Sequence, residues 1–131
     1  MTERPAILII EDNERNLKLV RDILNHVGYP TLEAANAEDG LALAHAERPR
    51  LILMDIQLPD MDGVEALGVL RRDPATAGAC VVALTAFAMN ADRERFLAAG
   101  FDGYLEKPLN VPEFPAQVAA LLGRVPGDAT T

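Results

Sequence analysis

Glu11, Asp12, Asp55, Thr85 and Lys107 supply three carboxylates, a hydroxyl and an ammonium, and each comes at or just after the end of a short apolar run. Glu11 and Asp12 follow Ala6-Ile-Leu-Ile-Ile10, and Asp55 follows Leu51-Ile-Leu-Met54. Thr85 follows Cys80-Val-Val-Ala-Leu84, and Lys107, joined to Pro108, comes just after Tyr104-Leu105. Clustered carboxylates repel one another, and a hard divalent cation relieves the repulsion. An oxygen-rich set suits Mg²⁺, which takes one or two carboxylates and keeps positions open for water or a phosphoryl oxygen. Such an ion would let an anionic phosphoryl group approach the anionic Asp55. Thr85 and Lys107 would offer a hydroxyl donor and a positive charge to the remaining phosphoryl oxygens. The chemistry indicated is phosphoryl transfer, with a carboxylate as nucleophile.

Taken singly, most of these residues have a simpler structural reading. Glu11, Asp12 and Glu14 could complement the dipole of a following helix, with Asn13 as its N-cap. Thr85 could cap a helix, and Lys107 could pair with any nearby acid. Asp55 resists that treatment, because a carboxylate ending an apolar strand needs a cation or donors to stay ionised. Independent caps also have no reason to share one site.

The intervening segments decide whether they share one. Leu17, Val20, Leu24 and Val27 are spaced for one buried helical face, stopped by Gly28. Thr31–Ala35 reads as a strand near the sheet edge, and Ala37–Arg48 as a helix closed by Pro49. Val64–Arg72 is a short helix ended by Asp73-Pro74, Ala91–Ala99 a helix capped by Gly100, and the last helix runs from about Glu113 to Leu122. Leu51–Met54 is continuously apolar, as in a strand buried on both faces. Strands alternating with helices mean right-handed crossovers and a parallel sheet covered on both faces. Five such units predict an α/β, flavodoxin-like, doubly wound sheet of five parallel strands in order 2-1-3-4-5, with five helices. Ligands bind such sheets beyond the carboxyl ends of the strands, at the switch between strands 1 and 3. All five side chains then converge on one rim.

Composition narrows the function further. The chain has 131 residues, half of them hydrophobic and 24% charged, which suits one folded domain and excludes a disordered chain. Asp and Glu total 20 against 12 Lys and Arg, a net charge of −8 that disfavours a nucleic-acid partner. Cys80 is the single cysteine, which excludes an internal disulfide and fits a reducing compartment. The longest charge-free run, Pro74–Ala91, contains Pro74, Thr76, Gly78, Thr85 and Asn90, so no membrane span is expected. The first residues, Met1–Pro5, lack a signal peptide's apolar core, and a cytoplasmic location is expected.

The joint pattern of Ile9-Ile-Glu-Asp-Asn13, Leu51–Gly63, Val82-Ala-Leu-Thr-Ala86 and Lys107-Pro108 resembles response-regulator receiver domains, the CheY-like superfamily, from about Ala6 to Leu122. Glu11–Asn16, Met54–Pro59 and Leu84–Met89 resemble, more narrowly, single-domain regulators of the DivK type. The resemblance implies a phosphoprotein of two-component signalling. Asp55 would take a phosphoryl group from a histidine kinase or a histidine phosphotransfer protein. Asp12, Asp55 and the Gln57 backbone carbonyl would bind Mg²⁺, with Glu11 acting through a metal-bound water. Thr85 and Lys107 would hold the phosphoryl group. Thr85 and Tyr104 would form the switch, beside a small Ala86, and Lys107-Pro108 matches the family's cis peptide.

The resemblance further implies that residues 1–123 form the receiver domain and 124–131 a short flexible tail, with no effector domain. Output would be a changed affinity for another protein through the fourth helix, fifth strand and fifth helix, from a monomer or a phosphorylation-dependent dimer. The protein would catalyse its own phosphorylation and dephosphorylation without turning over a separate substrate. A related reading is a phosphate shuttle or sink in a phosphorelay. A flavodoxin-like cofactor binder is a distant alternative, because Glu11-Asp-Asn-Glu14 repels a bare phosphate and aromatic rings are few. A Mg²⁺-dependent phosphatase of small molecules would need a second general acid, which Ile56 and Gln57 do not supply. Phe87 and Gln57 flank the expected path of a hydrolytic water, so self-dephosphorylation is expected to be slow.

Two departures from the family pattern stand out. Glu11 replaces the commoner Asp. Pro115 follows Pro112 by three residues, so the last helix is expected to start late, near Glu113, or to be distorted at its start. Several other residues attract no chemical role. His26 and His45 are expected on the surface, and Cys80 in a buried strand. Asp60 and Asp62 are expected in turns or caps, and Asp92–Arg95 on a solvated helix face. Phe87 and Met89 are expected to be partly exposed.

Overall fold

The apolar runs become strands, and the stretches that follow them form helices. The computed structural model describes residues 6–86, 90–107 and 109–123. Its elements are β1 (Ile7–Ile10), α1 (Glu14–His26), β2 (Thr31–Ala34), α2 (Ala37–Glu47), β3 (Leu51–Asp55), α3 (Gly63–Arg72), β4 (Cys80–Thr85), α4 (Asn90–Ala99), β5 (Gly103–Glu106) and α5 (Phe114–Leu122). Every strand pair is parallel, and the sheet order is β2-β1-β3-β4-β5, as expected. The expectations for Met1–Pro5, Phe87, Met89, Pro108 and the tail 124–131 lie outside the described residues.

Side chains alternate along each strand, which divides the core in two. Ile7, Ile9, Leu51, Leu53, Val82, Leu84 and Leu105 meet α1 and α5 through Val20, Leu24, Phe114 and Val118. Leu8, Ile10, Ile52, Met54, Val81 and Ala83 meet α2, α3 and α4 through Ala37, Ala44, Leu67, Leu70 and Phe96. The three central strands are therefore buried on both sides, which is why they are apolar throughout.

Local chemistry sets the helix ends. Asn13 caps α1 by accepting from the amides of Arg15 and Asn16 at 3.0 and 3.1 Å. Asp62 caps α3 through the Val64 amide at 2.7 Å. Gly100, at φ 115, follows α4 in the left-handed region that glycine adopts without strain. The last helix begins at Phe114, one residue later than read from the sequence. The Phe114 amide bonds the Asn110 carbonyl at 2.9 Å, and the Glu113 amide bonds Asn110 Oδ1 at 3.2 Å. Pro115 falls in the first turn, where an amide has no helical partner to lose. Cys80 is buried in β4, and His26 and His45 are exposed. No helix among the described residues is long and apolar enough to cross a membrane.

Candidate functional site

The parallel register brings four strand ends to one rim. Ile10 pairs with Met54, Asp55 with Leu84, and Thr85 with Glu106. Glu11, next after β1, donates its amide to the Ala34 carbonyl at 3.0 Å and is fully buried. Asp55 ends β3, the middle strand, and is 6% exposed. Asp12 is exposed beside them. One carboxylate oxygen from each of Glu11, Asp12 and Asp55 lies within 4.8 Å of the others.

Lys107 reaches back into this cluster from the end of β5. Its amide bonds the Thr85 carbonyl at 2.8 Å, which fixes where the side chain starts. Its ammonium lies 2.7 Å from Glu11 Oε1 and 2.8 Å from Asp55 Oδ2. The approach to Glu11 is a charge contact without hydrogen-bond alignment, so Oε1 is a buried acceptor with no directed donor. Glu11 Oε2 accepts the Asn13 amide at 3.2 Å, and Asp55 Oδ1 accepts the Gln57 amide at 2.9 Å.

These surroundings perturb two groups. Burial first, and then the neighbouring Asp55, push the Glu11 carboxyl up to about 7, against the pull of Lys107 and the Asn13 amide. Burial works against the Lys107 ammonium, but Asp55 and Glu11 outweigh it, so the lysine is held above its ordinary value. Three carboxylates facing one ammonium leave an excess of negative charge. Hard oxygen donors on a rim with an under-bonded buried oxygen fit a divalent cation such as Mg²⁺.

Gln57 sits in the loop between β3 and α3, which is folded tightly on itself. The Gly63 amide bonds the Ile56 carbonyl at 2.9 Å, and Gln57 and Asp62 form an antiparallel bridge. A Cβ at Gly63 would lie 2.9 Å from the Ile56 Cα, so only glycine permits this approach. Asp60, three residues beyond Gln57, leaves the loop to bond α2. Its Oδ1 accepts the Ala37 amide at 2.8 Å and its Oδ2 the Glu38 amide at 2.9 Å. The expected cap role of Asp60 and Asp62 is met, but Asp60 caps a helix that precedes it in the chain. The turn-forming sequence Pro59-Asp60 signals a bend, and nothing local signals that partner.

Thr85 is 2% exposed at the end of β4. Alternation turns it to the α2–α3–α4 side, away from Leu84. Tyr104 is half-buried against the core on that same side, and Ala86 is exposed just past the strand. Glu11, Asp55 and Lys107 thus form a contacting cluster, with Asp12 at its edge. Thr85 shares the rim, while Tyr104 stands behind it on the opposite face from Leu105. Tyr104 also lines a groove of about 360 Å³ between α4, β5 and α5, with Leu97, Asp102 and Gln117.

Comparisons with known proteins agree with this geometry. The chain is 43% identical over 118 residues to the polar-differentiation response regulator DivK of Brucella anthropi, covering 90% of this chain and 96% of that one. The receiver domain of the sensor histidine kinase PA1611 from Pseudomonas aeruginosa, solved with a magnesium ion coordinated in its active site cleft, superposes with a TM-score of 0.83. It is 32% identical and covers 92% of this chain and 98% of its own. A CheY-like response regulator receiver domain protein from Methanospirillum hungatei superposes at 0.84, with 31% identity over 96% of this chain and 99% of that one. With residues 7–119 also matching the family described as Response regulator receiver domain, the chain belongs to that family.

Proposed function

We propose that the protein is a single-domain response regulator of two-component signalling, working in the cytoplasm, with Asp55 as its phosphoacceptor. The observation that carries this reading is the setting of Asp55. It is nearly buried at the end of the central strand, among acidic oxygens on one side and the Lys107 ammonium at 2.8 Å on the other. A carboxylate so placed can attack a phosphorus atom while its neighbours manage charge. One Asp55 oxygen bonds phosphorus, and the phosphorus–nitrogen bond to the donor's imidazole breaks with its electron pair on nitrogen. The donor is a histidine kinase or a histidine phosphotransfer protein.

Mg²⁺ is the ion this donor set fits: Asp12, Asp55 and the Gln57 carbonyl would hold it, and Glu11 would act through water. When bound, it neutralises charge on the incoming phosphoryl group. Lys107 holds one phosphoryl oxygen, and the Thr85 hydroxyl holds another. Thr85 lies on the same side of the sheet as Tyr104, so a shift of Thr85 toward the phosphoryl group frees space for the tyrosine ring. That couples the rim to the groove of α4, β5 and α5, which would bind a downstream protein. The switch is a shift between two existing states. A phosphate shuttle or sink would use the same chemistry with another fate for the phosphoryl group. In neither case is a separate substrate turned over.

The test is incubation of the protein with Mg²⁺ and a small phosphodonor, followed by intact mass. The wild type gains one phosphoryl group, and Asp55→Ala gains none. Equal labelling of the two proteins would remove Asp55 from the role.

A further inference from the structure

We propose that Asp60 is a positioning residue for the metal and phosphoryl site, acting by locking the loop that carries Gln57 onto helix α2. The inference rests on the reading of Gln57 and Asp55 given above and concerns a residue outside that set.

The loop from Ile56 to Asp62 has a demanding task. The Gln57 amide must hold Asp55 Oδ1, and the Gln57 carbonyl must face the acidic cluster. The Gly63–Ile56 hydrogen bond and the Gln57–Asp62 bridge are internal, so they set the loop's shape and not its place. The Ile56 amide ties the loop's first residue to the Leu84 carbonyl of β4 at 3.1 Å, and Asp60 provides the tie of its far half to helix α2. Both Asp60 carboxylate oxygens are used, at 2.8 and 2.9 Å, on two successive amides. Two such bonds from one planar group fix orientation as well as distance, and bonds from an ionised acceptor are the stronger kind. Asp60 is accordingly held below its ordinary carboxylate range, chiefly by the Ala37 amide and then the Glu38 amide.

The anchor at the other end is firm. Ala37 and Ala44 are fully buried, and Gly40 lies so close to β1 that a Cβ there would come 2.5 Å from Ile10 Cδ1. Ile10 is the residue before Glu11. Helix α2 is therefore seated on the strand that delivers Glu11 and Asp12, and Asp60 ties the Gln57 loop to that helix. The two chain segments offering oxygens to a cation are held in one frame. Helix α2 also has a conventional cap, Asn36, which accepts the Asp39 amide at 2.8 Å. The fold thus offers a control: two caps on one helix end, of which Asp60 alone belongs to the loop.

The experiment compares Asp60→Ala with Asn36→Ala in the full chain, using Mg²⁺ titration and amide hydrogen exchange of Gln57 in chelator. Both variants should lower the melting temperature. Asp60→Ala should weaken Mg²⁺ binding about tenfold, as loss of a residue supporting metal ligands does, and should speed Gln57 exchange. Asn36→Ala should leave both readouts at the wild-type value. Asp60→Asn, which keeps one acceptor, should fall between them and serves if Asp60→Ala fails to fold. Wild-type affinity and protection in the Asp60 variants would overturn the proposal, as would equal losses in Asn36→Ala. If the wild type itself binds no Mg²⁺, the metal reading fails, and Gln57 exchange still decides the role of Asp60.

Discussion

The Lys107 ammonium lies 2.8 Å from Asp55 Oδ2, although the two residues are 52 positions apart in the chain. The contact exists because β3 and β5 flank β4 and all three strands end on the same rim. Lys107 is the counter-charge for two carboxylates that would otherwise face each other in a nearly dry setting.

Replacing Lys107 by Met should therefore destabilise the metal-free protein by about 3 kcal/mol, the cost of leaving buried charge uncompensated. Urea unfolding in chelator measures this. Adding Asp55→Asn to Lys107→Met should recover part of the loss, because one of the stranded carboxylates is then neutral. Additive losses in the double variant would mean that the ammonium does not couple to Asp55.

A pH effect is expected at the other end of the molecule. His45 Nδ1 lies 2.7 Å from Asp73 Oδ2, and this bond first, then the Ala75 amide, holds the Asp73 carboxyl below its ordinary value. A carboxyl lowered by folding contributes stability above its unfolded pKa, and that stability is lost as pH falls through the folded one. In His45→Ala the Asp73 titration, followed by carbon NMR, should move back up toward the ordinary value. Acid unfolding should then begin at a higher pH. An unmoved titration would show that the imidazole has no hold on Asp73.

Gly63→Ala should push on the Ile56 backbone and shift the loop that carries Gln57. Overpacking of this kind costs about 1–3 kcal/mol. Thermal unfolding gives the loss. Amide shifts at Ile56, Gln57 and Gly63, larger than those in β1 or α5, give the location.

Arg71 ties three segments together. Its guanidinium bonds the carbonyls of Ala77 at 3.0 Å, Ala79 at 2.7 Å and Gly100 at 3.0 Å, and the carboxylate of Asp102 at 2.8 Å. Asp102 in turn accepts the Val81 amide at 2.8 Å. Lysine keeps the charge but cannot reproduce the fork, so Arg71→Lys should cost about 2 kcal/mol. Hydrogen exchange should rise at the amides of Phe101, Asp102 and Val81 and not in α1.

The contrast between these residues shows what a reader of the sequence could see. Strand positions were legible because strands buried on both faces must be apolar throughout, as in Leu51–Met54. The site followed, since Glu11, Asp55 and Thr85 each end or follow such a run, Lys107 follows the partly buried edge strand, and a parallel sheet leaves them one rim to share. The ends of α5 were less legible. Two prolines three residues apart both suit a helix start, and the Asn110 turn settles the matter at Phe114. The polar ties were invisible. Asp60 to α2, His45 to Asp73 and Arg71 to Asp102 span 22 to 31 residues and leave no periodic trace.

The two-sided sheet also limits how this chain can change in length. Leu84 belongs to the core facing α1 and α5, while its neighbour Ala83 faces the other core. Deleting one residue within β4 would keep the backbone ladder possible yet exchange the two faces of the residues beyond the cut. Thr85 would then take the place of Leu84, one step back from the rim, and leave the side of the sheet it shares with Tyr104. Length changes should therefore be better tolerated in the loops entering the amino ends of the strands, outside stretches such as Ala77–Ala79 that Arg71 holds. On the opposite rim, where β1, β3, β4 and β5 each deliver a group to the site, a single added residue within the strand would place that group on the wrong side.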